Sequence, residues 1–252
     1  MILERKYKLT SKIGEGSFGY VVKGENLITS SDVAVKIEDR DSITLRNEAK
    51  IYRLLQNIIG VPAIYNYGVV DTISYIILEM LGPSLQPLMN GDQLLDVCKQ
   101  SIDILWHIHN ENVIHRDIKP ENFLFDKDKK TLYLIDYGLS IYTNGGRENE
   151  IQRSRAGTPV YTSLSVHNGK PHQFVDDLES LGYTLLWLQT GCVPWEGDDE
   201  DMIVTKKRYL LCDPENEDDL FIYDWVRYCR SIRENDKPSY EQLYNIMENQ
   251  IV

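Results

Sequence analysis

Apolar and polar residues alternate over much of the first eighty positions, as they do in half-buried β-strands. Glycine, asparagine and serine separate the alternating segments and indicate turns. Strands are predicted over Tyr7–Ile13, Gly19–Glu25, Asp32–Glu38, Ile64–Val70 and Ile73–Met80. The stretch Ser42–Gln56 instead spaces its apolar residues at helical intervals, so one main helix is expected in this part of the chain.

The remaining two thirds of the chain are predicted to be mainly helical. Helices are expected over Leu94–Asn110, Phe174–Gln189, Asp198–Tyr209, Leu220–Ile232 and Tyr240–Gln250. Two short strands, Phe123–Phe125 and Leu132–Ile135, precede a polar loop at 139–162. The pattern predicts an α+β fold with a sheet-rich lobe at 1–80 and a helical lobe at 81–252, hinged near Glu79–Pro83, in a single domain.

Composition excludes several classes of protein. The chain has 252 residues, with 27 basic against 39 acidic side chains and a net charge of −12, whereas nucleic-acid binders are usually basic. Its four cysteines are scattered without a CxxC pair, and no apolar stretch approaches the length of a membrane span. The N-terminus lacks the apolar core of a signal peptide. We therefore expect an intracellular monomer, cytoplasmic or nuclear, with no nucleic-acid or membrane partner.

Two short segments carry side chains suited to phosphoryl transfer: His115–Asn122, which reads HRDIKPEN, and Asp136–Gly138, which reads DYG. Asp117 can accept the proton of an attacking hydroxyl, and Lys119 can neutralise the phosphate that moves. Asn122 and Asp136 offer the oxygen ligands that Mg²⁺ prefers. Both segments in this order and spacing are a far more specific signal than either alone.

A glycine-rich segment, Gly14–Gly19, matches the pattern GxGxxG. A dinucleotide-binding turn needs a following helix, but β-branched residues follow here and favour a hairpin that covers ATP phosphates. An ordinary hairpin turn remains an alternative. The candidate nucleotide contacts in and beside this segment are Ile13, Gly14, Gly16, Ser17, Phe18 and Gly19.

Lys36 ends the apolar run Val33-Ala34-Val35 in a predicted strand, and Glu48 lies on the predicted helix that follows. A lysine among inward-facing apolar residues is costly to leave unpaired, so Glu48 is the expected partner. Lys36 would then bind the α- and β-phosphates of ATP while Glu48 fixes its position. The alternative is a surface lysine whose charge lies in water.

The chain resembles the eukaryotic protein kinases over essentially its full length, and within them the casein kinase I group. The resemblance rests on Lys12–Gly19 (KIGEGSFG), Leu81–Leu85 (LGPSL), His115–Leu124 (HRDIKPENFL), Asp176–Tyr183 (DDLESLGY) and Pro194-Trp195. It implies a bilobal protein-kinase fold and a constitutively active serine/threonine kinase. It also implies ATP and Mg²⁺ as cofactors and proteins as substrates.

The resemblance also implies roles for further residues. Lys119 marks serine/threonine rather than tyrosine kinases. Thr158 is expected to bridge Asp117 and Lys119, and Asp177 to accept backbone N–H groups of the catalytic loop. The residues expected around the adenine are Val21, Ala34, Leu78, Glu79, Leu81 and Leu124.

Several positions depart from the group or leave alternatives open. Val160 stands where many casein kinases I have an arginine that helps bind a phosphate on primed substrates, so priming is in doubt. Lys206-Lys207-Arg208 is either part of an anion site or a solvated helix face, and Arg153 and Arg155 could add to a basic patch. Arg116 could pair with a phosphorylated Ser154. Two rival functions are a catalytically inactive scaffold and a kinase of small molecules.

Overall fold

The computed structural model describes residues 1–16, 19–89, 91–143, 156–212, 221–234 and 236–248. The chain divides into two compact units. The first contains Met1–Pro83 together with Phe125–Gly138, and the second contains Ser84–Leu124 and the residues from Leu139 onward. Backbone hydrogen bonds join the inserted segment to the first unit, because the amide of Gly82 donates to Phe125 at 2.7 Å and that of Leu134 donates to Gly60 at 2.8 Å.

The first unit is built on a six-stranded antiparallel sheet in the order β1-β2-β3-β4-β6-β5. Its strands are β1 (Ile2–Leu3), β2 (Tyr7–Glu15), β3 (Gly19–Asn26), β4 (Ser31–Asp39), β5 (Ile64–Val70) and β6 (Ile73–Glu79). Along β4, Val33, Val35 and Ile37 are buried in the apolar core of the sheet. Successive side chains of a strand point to opposite faces, so Ala34 and Lys36 lie on the other face.

Helix α1 (Ile43–Leu55) is the main helix of this unit and packs on β5 and β6. Ser42 caps its N-terminus by accepting the amide hydrogen of Leu45 at 3.1 Å. Its buried positions, Leu45, Ala49 and Tyr52 among them, also include Glu48. A carboxylate on the buried face of a helix requires a partner, and that requirement brings α1 to Lys36.

The second unit is mainly helical. Its helices are α2 (Gly91–Asn110), α3 (Leu164–His167), α4 (Phe174–Thr190), α5 (Glu200–Tyr209), α6 (Phe221–Ser231) and α7 (Tyr240–Glu248). Helix α4 is central and contacts α2 and α6. Helix α7 also contacts both α2 and α6. A Cβ at Gly182 would lie 2.8 Å from the indole ring of Trp225, so a glycine permits the close approach of α4 and α6.

Short strands and turns complete the chain. Strand β7 (Val113–Ile114) pairs antiparallel with β10 (Ile141–Tyr142), and β8 (Phe123–Phe125) and β9 (Leu132–Leu134) flank a turn. Single 3₁₀ turns lie at Pro120–Asn122 and Tyr137–Leu139. Among the described residues, no helix is long and apolar enough to cross a membrane.

The structure confirms the predicted α+β class, with an antiparallel sheet unit and a mainly helical part. Sequence analysis missed β1, β7, β10 and α3, because elements of two to four residues are too short to show a period. Helix α2 begins three residues before the predicted Leu94. The predicted lobe limits, 1–80 and 81–252, and the single domain of 1–252 remain predictions.

Candidate active site

Lys36 lies between two carboxylates of the first unit. Its Nζ is 2.7 Å from Oε2 of Glu48 on α1 and 2.7 Å from Oδ1 of Asp136. The side chain of Glu48 is 1% exposed, whereas that of Asp136 is 45% exposed. Lys36 is only 17% exposed and is paired with carboxylates, as sequence analysis preferred, and the alternative of a lysine in water is wrong.

Burial and charge compete at this cluster. Burial alone would lower the pKa of Lys36, but the carboxylates of Glu48 and Asp136 outweigh it and raise that pKa, so the lysine is fully charged. Burial raises the pKa of Glu48, and the charge of Asp136 adds to this effect while Lys36 opposes it. When both carboxylates are ionised, one positive charge faces two negative charges, so the cluster then carries an excess negative charge of one.

Three further predicted nucleotide contacts share the sheet face that carries Lys36. Val21 on β3 lies directly opposite Lys36, and Leu78 on β6 lies directly opposite Ala34. Residues opposite each other in an antiparallel pair project from the same face. Val21, Ala34 and Leu78 therefore form an apolar patch beside the lysine, as a flat aromatic ligand near a phosphate group would need.

Strands β2 and β3, which pair antiparallel, lie on either side of the glycine segment. Gly14 pairs with Val21, and the amide of Gly16 donates to the carbonyl of Gly19 at 2.8 Å. A Cβ at Gly19 would lie 2.1 Å from the carbonyl oxygen of Ile37, so only glycine fits there. The structure thus excludes a dinucleotide-binding turn, because a strand follows the segment.

The other predicted nucleotide contacts are less closely grouped. Ser17 and Phe18 lie outside the described residues. Ile13 is exposed on β2, and Glu79 ends β6 with its carboxylate 3.3 Å from the amide of Ala63. Leu81 follows β6, and Leu124 belongs to the second unit, where it bridges to Ser84. Their roles toward a nucleotide stay predictions.

Asp117 is the centre of a second cluster, in the second unit. Its Oδ1 accepts a hydrogen bond from Thr158 at 2.8 Å, and its Oδ2 lies 2.7 Å from Lys119. Lys119 also donates to Thr158 at 2.9 Å. The predicted bridge by Thr158 is therefore confirmed as a contact. Asn122 donates to the carbonyl of Asp117 at 2.8 Å and to its Oδ2 at 3.2 Å.

Asp177, near the start of α4, holds the backbone that leads into this cluster. Its carboxylate accepts the amide hydrogens of His115 at 2.7 Å and Arg116 at 2.8 Å, which confirms the predicted contact. His109 on α2 lies 2.9 Å from the same carboxylate. Burial would raise the pKa of Asp177, but these donors outweigh it and hold the pKa below its ordinary value.

The backbone adopts left-handed conformations at Arg116 (φ 71°) and Asp136 (φ 64°). Such conformations are uncommon outside glycine, and tertiary contacts must hold them. Arg116 donates from Nε to the carbonyl of Leu139 at 2.6 Å. The amide of Asp136 lies 3.2 Å from the hydroxyl of Tyr52. The ring of Tyr52 packs edge to face with that of buried Tyr137, and the two ring centres are 5.0 Å apart.

The carboxylate of Asp136 in the first unit and the amide oxygen of Asn122 in the second are each an oxygen donor of the kind that a divalent cation binds together with phosphate oxygens. Mg²⁺ is usually held by one or two carboxylates together with substrate phosphates rather than by a full protein cage. Asp136 belongs to the cluster with excess negative charge, and the amide nitrogen of Asn122 is bound to Asp117, which leaves its oxygen as the possible ligand. The described residues include no group of three or more histidine, cysteine or acidic side chains that could hold a metal alone.

Sequence analysis did not anticipate the environment of Lys207. It is fully buried on α5, so it is neither an anion-binding residue nor part of a solvated helix face. Lys206 is exposed and paired with Asp198 at 2.7 Å. The spacing of Ile203 and Lys207 would have placed both on one helix face, but the run of three basic residues concealed this signal. Arg153, Ser154 and Arg155 lie outside the described residues.

A comparison with families of known proteins agrees with this arrangement of residues. The sequence model of the protein kinase domain matches residues 7–242, which is nearly the whole chain and includes both charged clusters. Proteins with this domain use ATP and a divalent metal to phosphorylate proteins, and the match favours neither of the two rival functions. The chain belongs to the protein kinase domain family, and it is a phosphotransferase.

Proposed function

We propose that the protein is a serine/threonine kinase of the casein kinase I type, which transfers the γ-phosphoryl group of ATP to protein hydroxyls with Mg²⁺. The observation that supports it best is the contact of Lys119 with both Asp117 and Thr158. This lysine lies against the proposed catalytic base, where an acceptor hydroxyl and its phosphoryl partner must meet. A short serine or threonine side chain can reach such a base only if the peptide backbone comes close.

Asp117 is the proposed base. An ionised carboxylate has about four acceptor sites, and Thr158, Lys119 and Asn122 use three in this structure. One site therefore remains for the acceptor hydroxyl. As the oxygen of that hydroxyl bonds to the γ-phosphorus, its proton passes to Asp117, and the bond from phosphorus to the β,γ-bridging oxygen breaks, leaving ADP.

Lys36 and Lys119 are proposed to serve the phosphate groups. Lys36 would bind the α- and β-phosphates, and Glu48 would fix the ammonium group in place. Lys119 would reduce the negative charge on the phosphoryl group that moves. Charge neutralisation and positioning supply most of the catalysis in such reactions, so turnover should be on the order of 1–100 per second.

Asp136 and Asn122 are the proposed ligands of Mg²⁺. The metal would supply further neutralisation of phosphate charge when it is bound. Asp136 fits this role because Lys36 offsets only one of the two neighbouring carboxylate charges. The proposed constitutive activity is supported by contacts made by unmodified side chains, namely Lys36 with Glu48 and Thr158 with Asp117. Phosphatase treatment, followed by mass spectrometry, should therefore leave the activity unchanged.

A positional-scanning peptide library tests two properties together: which residue accepts the phosphoryl group, and whether an upstream phosphoserine improves the substrate. Its peptides carry serine, threonine or tyrosine as acceptor, each with and without an upstream phosphoserine. We expect serine and threonine to be phosphorylated and tyrosine to remain at background. Upstream phosphoserine should give no advantage, because Val160 lacks the guanidinium group that binds phosphate.

The variant Val160→Arg is the matched control for priming, and it should introduce a preference for the phosphorylated peptides of about fivefold or more. The variant Asp117→Asn sets the background. Efficient tyrosine phosphorylation would contradict the assignment to serine/threonine kinases. A strong phosphoserine preference in the unmodified sequence would show that another cation replaces the missing arginine.

A further inference from the structure

Lys207 is the one fully buried lysine among the described residues. Its Nζ donates to the carbonyl of Pro159 at 2.8 Å and to that of Thr162 at 2.6 Å. A methionine of similar length would avoid the cost of burying an amine but would leave both carbonyls without this donor. The ammonium group is therefore matched to one particular piece of backbone.

Aromatic rings, charged groups and a histidine complete the surroundings of Lys207, because Nε2 of His167 lies 3.4 Å from its Nζ. Its Nζ lies 4.7 Å from the ring centre of Tyr183 and 5.2 Å from that of Trp195, which are distances of cation–π contacts. Burial lowers the pKa of Lys207 to about 7, with Glu179 opposing this effect and Arg230 adding to it. A neutral amine still donates two hydrogen bonds, so both carbonyl contacts persist in either protonation state.

Lys207 binds two carbonyls of a backbone turn that begins at Thr158. Residues 158–162 form a compact turn in which the amides of Tyr161 and Thr162 donate to the carbonyl of Thr158 at 2.9 and 3.0 Å. The indole of Trp195 donates to the carbonyl of Val160 at 2.7 Å. Lys207 and Trp195 together therefore bind three carbonyls of this turn from the protein interior, those of Pro159, Val160 and Thr162.

The same turn carries the hydroxyl that contacts the proposed catalytic base. Thr158 bonds to both Asp117 and Lys119. An acceptor hydroxyl must come within hydrogen-bond reach of Asp117, so the peptide that carries it passes beside Thr158. Pro159 is exposed and Val160 is partly exposed, so the turn offers surface to a peptide that passes beside Thr158. A shift of the turn would therefore change both peptide contacts and the position of Thr158.

We propose that Lys207 is a positioning residue for the protein substrate: from the interior it fixes the turn 158–162, which holds Thr158 on Asp117 and presents the surface that meets the acceptor peptide. This inference rests on the proposed roles of Asp117 and Thr158. It assigns to a buried lysine of α5 a part in substrate recognition without any contact to substrate.

The test compares the kinetics of Lys207→Met with those of Lys206→Met, the adjacent exposed lysine. The acceptor is a serine peptide selected from the library described above. Lys207→Met should lower kcat/KM for the peptide about tenfold, the size expected when one or two hydrogen bonds are lost, while KM for ATP stays within about twofold. Lys206→Met should leave kcat/KM for the peptide and KM for ATP within about twofold of the values for the unmodified protein. Hydrogen exchange should quicken at Tyr161 and Thr162 in Lys207→Met but not in α2.

Each outcome bears on the proposal. Unchanged peptide kinetics in folded Lys207→Met would overturn it, and equal losses for ATP and peptide would indicate a merely structural role and overturn it too. If Lys207→Met shows no cooperative unfolding transition, Lys207→Gln replaces it, because a shorter neutral amide cannot reach both carbonyls, and the same criteria apply. If the unmodified protein phosphorylates no peptide, the proposed function itself fails, and the inference fails with it.

Discussion

Lys36 in the first unit and Asp117 in the second are each the centre of a charged cluster, but the two clusters are held in different ways. Lys36 lies on the regular strand β4, and its buried partner Glu48 lies on the regular helix α1. Asp117 lies in an irregular loop, and its neighbours come from a 3₁₀ turn and from a distant segment at Thr158. The first cluster has excess negative charge, whereas Asp117 and Lys119 balance each other.

The difference shows two routes to a fixed functional group. The backbones of strands and helices form hydrogen bonds within their own sheet or helix. A buried charged side chain on such an element therefore needs only a partner of opposite charge to be held in place. A loop has backbone groups left to satisfy, and buried side chains must bind them. Asp177 binds the amides before Asp117, and Lys207 binds the carbonyls after Thr158. The two units should therefore respond differently to substitution.

The largest expected effect is on transfer itself. Asp117→Asn keeps the size of the side chain but removes the proton acceptor, so peptide phosphorylation should fall to background, a loss of about 10²- to 10⁴-fold. Affinity for an ATP analogue should change little, because Asp117 is not in the Lys36 cluster. Transfer of labelled phosphate measures peptide phosphorylation, and calorimetric titration measures the affinity for the ATP analogue. Asp128→Asn, at an exposed turn, is the matched control, and undiminished transfer in Asp117→Asn would refute the proposed base.

Lys36→Met should also abolish detectable transfer, but through lost phosphate binding, and it should reduce stability as well. The substitution leaves Glu48 buried without its cation, which costs about 3–5 kcal/mol when such a pair is broken. Glu48 already has its pKa raised to about 7, and without Lys36 that pKa should rise further, so the folded variant keeps a proton that the folded unmodified protein releases. Its stability deficit should therefore grow as pH rises above about 7.

Chemical unfolding at several pH values measures this deficit. Lys36→Arg is the control, because it keeps a cation beside Glu48 and should lose activity with a smaller loss of stability. A deficit that is independent of pH would mean that Glu48 does not take up the proton.

A smaller effect is expected at Asp177, which acts on the loop and not on the reactants. Asp177→Asn keeps one oxygen acceptor, so transfer should fall about tenfold with KM for ATP unchanged. The lowered pKa of Asp177 means that its carboxylate stabilises the fold above the ordinary aspartate range, and that this contribution is lost as pH falls through the lowered value.

Chemical unfolding of the unmodified protein and of Asp177→Asn measures this contribution across pH. The gap in unfolding free energy between the two should be constant between about pH 7 and 5 and should narrow below about pH 4. A gap that widens in acid would show that the carboxylate is not held in its charged form. The two units should thus differ in the pH range of their response, because the stability deficit of Lys36→Met changes above about pH 7.

Much of the site could be read from the sequence because its residues lie in short continuous segments. The glycine hairpin, Lys36 after its apolar run, and the segment from Asp117 to Asn122 each combine residue types and spacing that few other functions require. Glu48 could be proposed as the partner of Lys36 because a buried charge needs a counter-charge. Local pattern also predicted the principal strands and helices, since their periods extend over many residues.

The sequence by itself thus determined the α+β class, the protein kinase family and the candidate chemistry. Only the tertiary structure decided that Phe125–Gly138 joins the first unit, that Thr158 contacts Asp117, and that Lys207 is buried on backbone carbonyls. These facts depend on contacts between residues some 40 or more positions apart, which no local period encodes. Whether a basic side chain is solvated or buried depends on what packs against it, and that is set by the whole fold.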